Sequence, residues 1–186
     1  MSVAKEIFRL FERRGADAYF GEPVSITEHA LQAAYFGARE SAPPPLMLAA
    51  LLHDIGHLIM DVPDDIAEWT SDAHHEESGS RWLAERFAAA VSEPVRLHVA
   101  AKRYLCATDA GYAAKLSPAS IHTLKLQGGP MDAREVAAFE AQRFFREALC
   151  LRRWDDLGKV AGLRTPGLAA HRALIETLAA SAPPRG

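Results

Sequence analysis

The chain has 186 residues, of which 49% are hydrophobic and 24% charged types, proportions of a soluble globular protein that exclude collagen-like, disordered and disulfide-scaffold classes. At about 100 to 200 residues per domain, this length predicts a single domain over residues 1–186 with room for a sizeable core. With 21 Lys and Arg against 24 Asp and Glu, the net charge is −3, so no overall field draws the chain onto nucleic acid or an anionic membrane, and any anion site must be local. Cys106 and Cys150 form no C-x-x-C pair and are too few for a disulfide framework. The opening MSVAKEIFRLFERRG lacks the apolar run and cleavage site of a signal peptide. The longest apolar run, LMLAALL at 46–52, is far short of the roughly 20 residues that span a bilayer. A cytoplasmic protein with a small-molecule partner, and neither membrane nor nucleic acid, is expected.

Val3, Ile7, Leu10 and Phe11 share one face of a first helix ending near Gly15. A loop with Tyr19, Phe20, Gly21, Glu22 and Pro23 follows, and the S-x-x-E spacing of Ser25 and Glu28 caps a second helix from about Ile26 to Glu40, with His29 in its first turn. After Pro43–Pro45, an apolar and therefore buried helix is predicted over about 45–60, containing His53, Asp54 and His57. Asp61 to Ser71 reads as a polar connection. Asp72 is placed to cap a helix reaching about Ala90, opened by His74 and His75, with Glu76 and Glu77 at its start, where the dipole favours carboxylates. Ser92 and Pro94 suit the start of a helix carrying His98 and Lys102 one turn apart. Ser117–Pro118 opens a short helix ending at Gly128–Gly129, Asp132 caps a long helical stretch through Trp154, and Thr165–Pro166 opens a final helix at about 166–180. No stretch alternates with period two, and no repeat of 20–50 residues is visible. The fold class is all-α, a single bundle of seven or eight helices.

Eight histidines matter here because several fall at helix starts or inside apolar helices. His53 and Asp54 lie in the apolar run AALLHDIGHLI. Buried there, both need partners, because an unpaired buried polar group costs roughly 1 to 3 kcal/mol and a charge more. A metal ion satisfies both, and imidazole with carboxylate but no thiolate suits iron, manganese or zinc. Taken singly, His29 equally fits a histidine bonded to a carbonyl, and Asp54 a surface-helix carboxylate.

His29, the pair His53–Asp54 in HDIGH, His75 in HHEESG, His98, and Asp155 in LRRWDDLGK follow the order H…HD…H…H…D, and over about residues 7–160 the chain resembles the HD-domain superfamily. The resemblance implies a five-helix core holding metals, in a superfamily whose members mostly hydrolyse phosphate esters. More narrowly, YFGEPVSITEHALQAA, HDIGH, LSPASIHTLKLQGG and LRRWDDLGK look like the HD-domain phosphonate oxygenases, which resemble myo-inositol oxygenase in using a mixed-valent Fe(II)/Fe(III) pair and cleave a carbon–phosphorus bond with O2. Carried over residue by residue, that resemblance implies His29, His53, Asp54 and Asp155 on one iron and Asp54, His75 and His98 on the other, with Asp54 bridging. Asp155 rather than Asp156 is selected because the family's ligand lies four residues before a lysine, here Lys159, and His75 rather than His74 because the ligand lies four before a glycine, here Gly79.

The same resemblance implies that Lys102, Ser120 and Arg152 bind the phosphonate, that His57 lies over the pocket, and that Tyr19 and Glu22 form a loop plug that moves when substrate arrives. On the residues alone, Lys102 equally fits a solvated lysine, Ser120 a local cap, Arg152 an ion-pair partner, Tyr19 a rim aromatic and Glu22 a solvated charge. The implied reaction is oxygen-dependent conversion of a 1-hydroxyphosphonate, such as (R)-1-hydroxy-2-aminoethylphosphonate or its N-trimethyl analogue, to glycine or glycine betaine plus phosphate. The rival readings are a metal-dependent HD phosphohydrolase, which uses the same ligands, and a metal-stabilised module without turnover. No amphipathic heptad marks an oligomer interface.

Overall fold

The computed structural model describes residues 2–60 and 74–181. The helices are α1 (Val3–Arg14), α2 (Ile26–Arg39), α3 (Pro44–Leu52), α4 (Ile55–Ile59), α5 (His75–Ala84), α6 (Ala89–Thr108), α7 (Pro118–Leu126), α8 (Ala133–Glu140), α9 (Phe145–Leu157) and α10 (Arg172–Ala180), with 3-10 turns at Ala113–Lys115 and Leu168–His171. Among the described residues the only β pairing is an isolated bridge between Ala18 and Ser25, so the fold is all-α.

The ends of α2 and α8 are set locally. Ser25 and Glu28 close a full capping box on α2, and Asp132 and Glu135 close another on α8, each satisfying two otherwise orphaned backbone groups. Ser117 caps α7, with Pro118 in the first turn. The 45–60 helix expected from its apolar run is two helices, because the chain breaks at His53–Asp54, where Asp54 has φ −99 and ψ 15. The break stops the helical rotation at the pair that must face the interior together. The stretch after Asp132 likewise divides into α8 and α9, and the final helix begins at Arg172 after a 3-10 turn. α6 starts at Ala89, ahead of Ser92, so Pro94 lies inside the helix and α5 ends earlier than expected, at Ala84. The expected connection at Asp61–Ser71 and cap at Asp72 lie outside the described residues.

Trp154, Leu48, Leu51, Leu52, Leu83 and Leu151 are fully buried in the main core. α6 packs against α3, α5 and α9, and α2 packs against α3 and α9. These helices, with α4, are the ones that carry the histidines and aspartates of the sequence pattern. Ile7 on α1 and Ile175 on α10 are also fully buried in this core, where α1 and α10 pack on each other and on α4 and α3 respectively. Among the described residues no helix is long and apolar enough to cross a membrane.

Two glycines decide how closely α4 and α5 approach. A Cβ on Gly56 would sit 2.0 Å from the carbonyl oxygen of His75, and one on Gly79 would sit 3.1 Å from the Gly56 nitrogen. The pair therefore lets the two backbones touch, which brings His75 beside Asp54.

Candidate active site

His29 on α2, His53 and Asp54 at the α3–α4 break, His75 at the start of α5, His98 on α6 and Asp155 on α9 converge in the interior, all buried. Three of the four rings have their Nδ1 on a backbone carbonyl: His29 on Gly158 (2.9 Å), His53 on Ala50 (2.9 Å) and His98 on Val95 (2.7 Å). Donating there fixes the tautomer and leaves Nε2 as a bare lone pair, the arrangement that metal-binding histidines use. Those lone pairs face one another. His29 Nε2 is 3.0 Å from His53 Nε2, and His75 Nε2 is 3.2 Å from His98 Nε2.

Asp54 stands between the two pairs. Its Oδ2 is 3.7 Å from His29 Nε2 and 3.5 Å from His53 Nε2, while its Oδ1 is 3.3 Å from His75 Nε2 and 3.6 Å from His98 Nε2. His29, His53 and Asp54 form one group able to hold a metal ion, and Asp54, His75 and His98 a second. Asp155 Oδ1 approaches the first group, 3.5 Å from His29 Nε2, and has no hydrogen-bond partner among the described residues. Its other oxygen takes an ion pair of 2.8 Å from Arg152 Nη1. An acceptor left bare in a buried site, beside imidazole nitrogens, is one that a cation would satisfy. The nitrogen and oxygen donor set fits a first-row metal.

The charge states agree with that fit. Burial lowers His29 to about 4 and His98 to about 3, so both are neutral at pH 7, the form a metal would need. Burial opposes ionisation of Asp54 and Asp155, but the surrounding histidines for the first, and Arg152 foremost for the second, hold both below the usual carboxylate range. Burial lowers His75, yet the Asp54 hydrogen bond and the Asp54 and Glu76 charges outweigh it, and its pKa is raised.

The histidine–aspartate cluster opens on a pocket lined by Tyr19, Glu22, His57, Lys102, Ser120 and Arg152, among others. Tyr19 donates to Asp54 Oδ2 at 2.7 Å and its ring stacks on His29 at 3.8 Å. Its loop turns through Phe20 (φ 43) and Gly21 (φ 81). A buried non-glycine residue in the left-handed region is strained, a feature that clusters at functional loops. Phe20 packs on His57, and His57 stacks on His75. Burial first, then the His75 charge, holds His57 well below 6.5 and so neutral.

Lys102 lies one turn beyond His98 and donates to Thr123 at 2.8 Å. Burial, then the charge of Arg152, lowers it to about 7. Arg152 is held on every side, by Asp155, by Asp156 and by the Tyr112 hydroxyl. Asp156 faces Arg152 and Tyr112 and stays out of the histidine cluster; His74 is exposed.

Other participants carry no signal in the sequence pattern. Thr123 and Gln127 line the pocket, and Gln127 Oε1 is buried without a partner among the described residues. Glu76 Oε2 lies 3.5 Å from His75 Nδ1, and neither atom has a hydrogen bond among the described residues. Glu76 adjoins a predicted ligand in HHEESG, which is the one clue the sequence offered. Thr123 and Gln127 reach the pocket through tertiary placement alone.

No family model matches the chain. It is 45% identical over 165 residues to the [1-hydroxy-2-(trimethylamino)ethyl]phosphonate dioxygenase (glycine-betaine-forming) of Leisingera caerulea, covering 89% of this chain and 84% of that protein. It is 44% identical over 172 residues to the hydroxymethylphosphonate dioxygenase of Gimesia maris, covering 92% and 85% respectively. It is also 35% identical over 172 residues to the uncharacterized protein L432 of Acanthamoeba polyphaga mimivirus, covering 91% and 78%. At these identities and coverages, the chain belongs to the hydroxyphosphonate dioxygenase family.

Proposed function

We propose that the protein cleaves the carbon–phosphorus bond of a 1-hydroxyphosphonate with O2. The observation that carries the reading is one carboxylate, Asp54, facing a histidine pair with each oxygen, directly beneath a pocket lined by Lys102, Ser120 and Arg152. The atoms balance: R–CH(OH)–PO3 dianion plus O2 gives R–COOH plus hydrogen phosphate, with the C–H and C–P bonds broken and O2 reduced. A quaternary ammonium R group gives glycine betaine, and hydrogen as R gives formate. Phosphate-ester hydrolysis is disfavoured by the kinship with dioxygenases and by the Tyr19 plug, which hydrolysis does not require.

In this reading His29, His53, Asp54 and Asp155 hold one metal, Asp54, His75 and His98 hold the second, and the pair is mixed-valent iron. Bound there, the pair supplies Lewis acidity toward the substrate hydroxyl and the redox capacity for using O2. Lys102, positioned by Thr123, and Ser120 grip the phosphonate, and Arg152 adds positive potential while holding Asp155 to one free oxygen. His57, kept neutral, is a proton acceptor above the substrate hydroxyl. Tyr19 shields the Asp54 oxygen until substrate enters, and Glu22 meets an ammonium group where the substrate has one.

The test is phosphate release by iron-loaded protein on hydroxymethylphosphonate, 1-hydroxy-2-aminoethylphosphonate and its trimethyl analogue, with and without O2. Release is expected only with O2 and in equal amount to the carboxylate product. Equal release from phosphate esters without O2 would overturn the reading in favour of a hydrolase.

A further inference from the structure

The short segment after α9 is fastened to α2 on both sides of Lys159. Gly158 gives its carbonyl to His29 Nδ1, and Val160 pairs twice with the buried Gln32 amide, accepting from Nε2 at 2.8 Å and donating to Oε1 at 2.9 Å. That clamp holds the backbone of residue 159 and aims its side chain into the pocket, where it is one of the lining residues. There Lys159 Nζ donates to Ser120 Oγ at 3.0 Å and pairs with Glu22 Oε1 at 3.2 Å. Both partners of the ion pair are largely buried, with 13% and 9% side-chain exposure, so the charge interaction is stronger than at a wet surface. The ammonium also lies 6.0 Å from the centre of the Tyr19 ring. Ser117 Oγ donates to the same Glu22 oxygen.

Glu22 therefore sits in the closed site as the counter-ion of a lysine that points at Ser120, one of the residues proposed to grip the phosphonate. A phosphonate is an anion with three acceptor oxygens, and it can replace a carboxylate on an ammonium group and a hydroxyl at once. We propose that Lys159 is a phosphonate-binding residue whose place-holder in the closed site is Glu22, so that the incoming phosphonate takes Lys159 and frees the loop that carries Tyr19. This rests on the phosphonate reading above. The exchange conserves charge pairing: the anion that arrives replaces the anion that leaves. Glu22, released, becomes available to a substrate ammonium group, and an amine-free substrate leaves it to solvent.

A purely structural ion pair and an exchange predict opposite effects of neutralising Glu22. If the pair only fixes the loop, Glu22→Gln loosens the pocket and weakens phosphonate binding. If Glu22 competes with the phosphonate for Lys159, Glu22→Gln tightens it. The probe is methylphosphonate, which has an anion but neither hydroxyl nor amine, titrated calorimetrically into anaerobic, iron-loaded protein. Lys159→Met is expected to weaken binding by about tenfold or more, the worth of one charge-assisted contact, and Lys159→Arg to restore most of it. Glu22→Gln is expected to tighten binding by about fivefold or more, because a largely buried pair exceeds the surface pairs whose upper range is about fivefold. In the Lys159→Met background Glu22→Gln gains nothing. Wild-type binding with Lys159→Met within twofold of it, or weaker binding in Glu22→Gln, overturns the exchange and leaves the phosphonate reading standing. No binding by wild type overturns both.

Discussion

The two halves of the histidine cluster are built differently. His29 comes from the first turn of α2 and His53 from the break after α3, and both rings are tied by Nδ1 to backbone carbonyls, while Asp155 is held by Arg152. In the other half His98 is tied in the same way, but His75 is the first residue of α5, its Nδ1 has no hydrogen bond among the described residues, and its position depends on the contact of Gly56 and Gly79. Ligands already held in place lose little freedom when a metal arrives. We therefore expect the first half to be the tighter metal site and the second the exchangeable one.

The largest effects should separate the halves. His53→Ala is expected to abolish activity and to remove the first metal, and with it much of the second because the shared Asp54 loses a neighbour. His98→Ala should remove one equivalent and leave the other. Metal analysis after gel filtration checks this; equal loss in both variants would erase the asymmetry. Next, Gly56→Ala puts a methyl group into the His75 carbonyl, an overpacking expected to cost about 1 to 3 kcal/mol. It should lower Tm and deplete the second metal selectively. Retention of both metals with unchanged Tm would show that the α4–α5 contact is not what seats His75.

A subtler change tests Glu76. If its carboxylate orients the His75 ring, Glu76→Gln should weaken the second metal by about 10-fold or more in chelator competition, the usual worth of an outer partner of a metal-bound histidine, with the first metal untouched. Equal chelator resistance of wild type and Glu76→Gln would make Glu76 a packing residue.

The break in the apolar run at His53–Asp54 shows how much was legible in the sequence. The pair itself stood out, because a charged residue amid AALLHDIGHLI demands a partner, and the capping residues at Ser25, Ser117 and Asp132 marked three helix starts correctly. The break did not stand out, since periodicity in a wholly apolar run has no polar face to reveal a change of direction. Pro94 misled for a related reason: proline is a helix-start signal, yet α6 had already begun at Ala89, drawn on by Val91 and Val95 in the core. All twelve residues singled out for the site gather around one pocket and the cluster beneath it. Lys159 served in the sequence only as a landmark, because an ion pair with Glu22, 137 positions away along the chain, has no local trace.

The smallest predicted effect is a pH limb. Lys102 is lowered to about 7 by burial and then by Arg152, so it carries its charge below that pH and loses it above. Phosphonate affinity of the metal-loaded protein should therefore fall as pH rises through about 7, by at most about tenfold per unit for one proton. Lys102→Arg stays protonated and should flatten the limb. An identical pH profile in Lys102→Arg would place the titration elsewhere.

The central claim is that Asp54 serves two metals at once, and the most direct measurement is metal content of iron-reconstituted wild type and Asp54→Ala, with folding checked by circular dichroism. Two equivalents per chain in wild type and close to none in folded Asp54→Ala are predicted, because each carboxylate oxygen faces a different histidine pair. Folded Asp54→Ala that keeps one equivalent as tightly as wild type would contradict a shared ligand and reduce the centre to a single metal site with a neighbouring histidine pair.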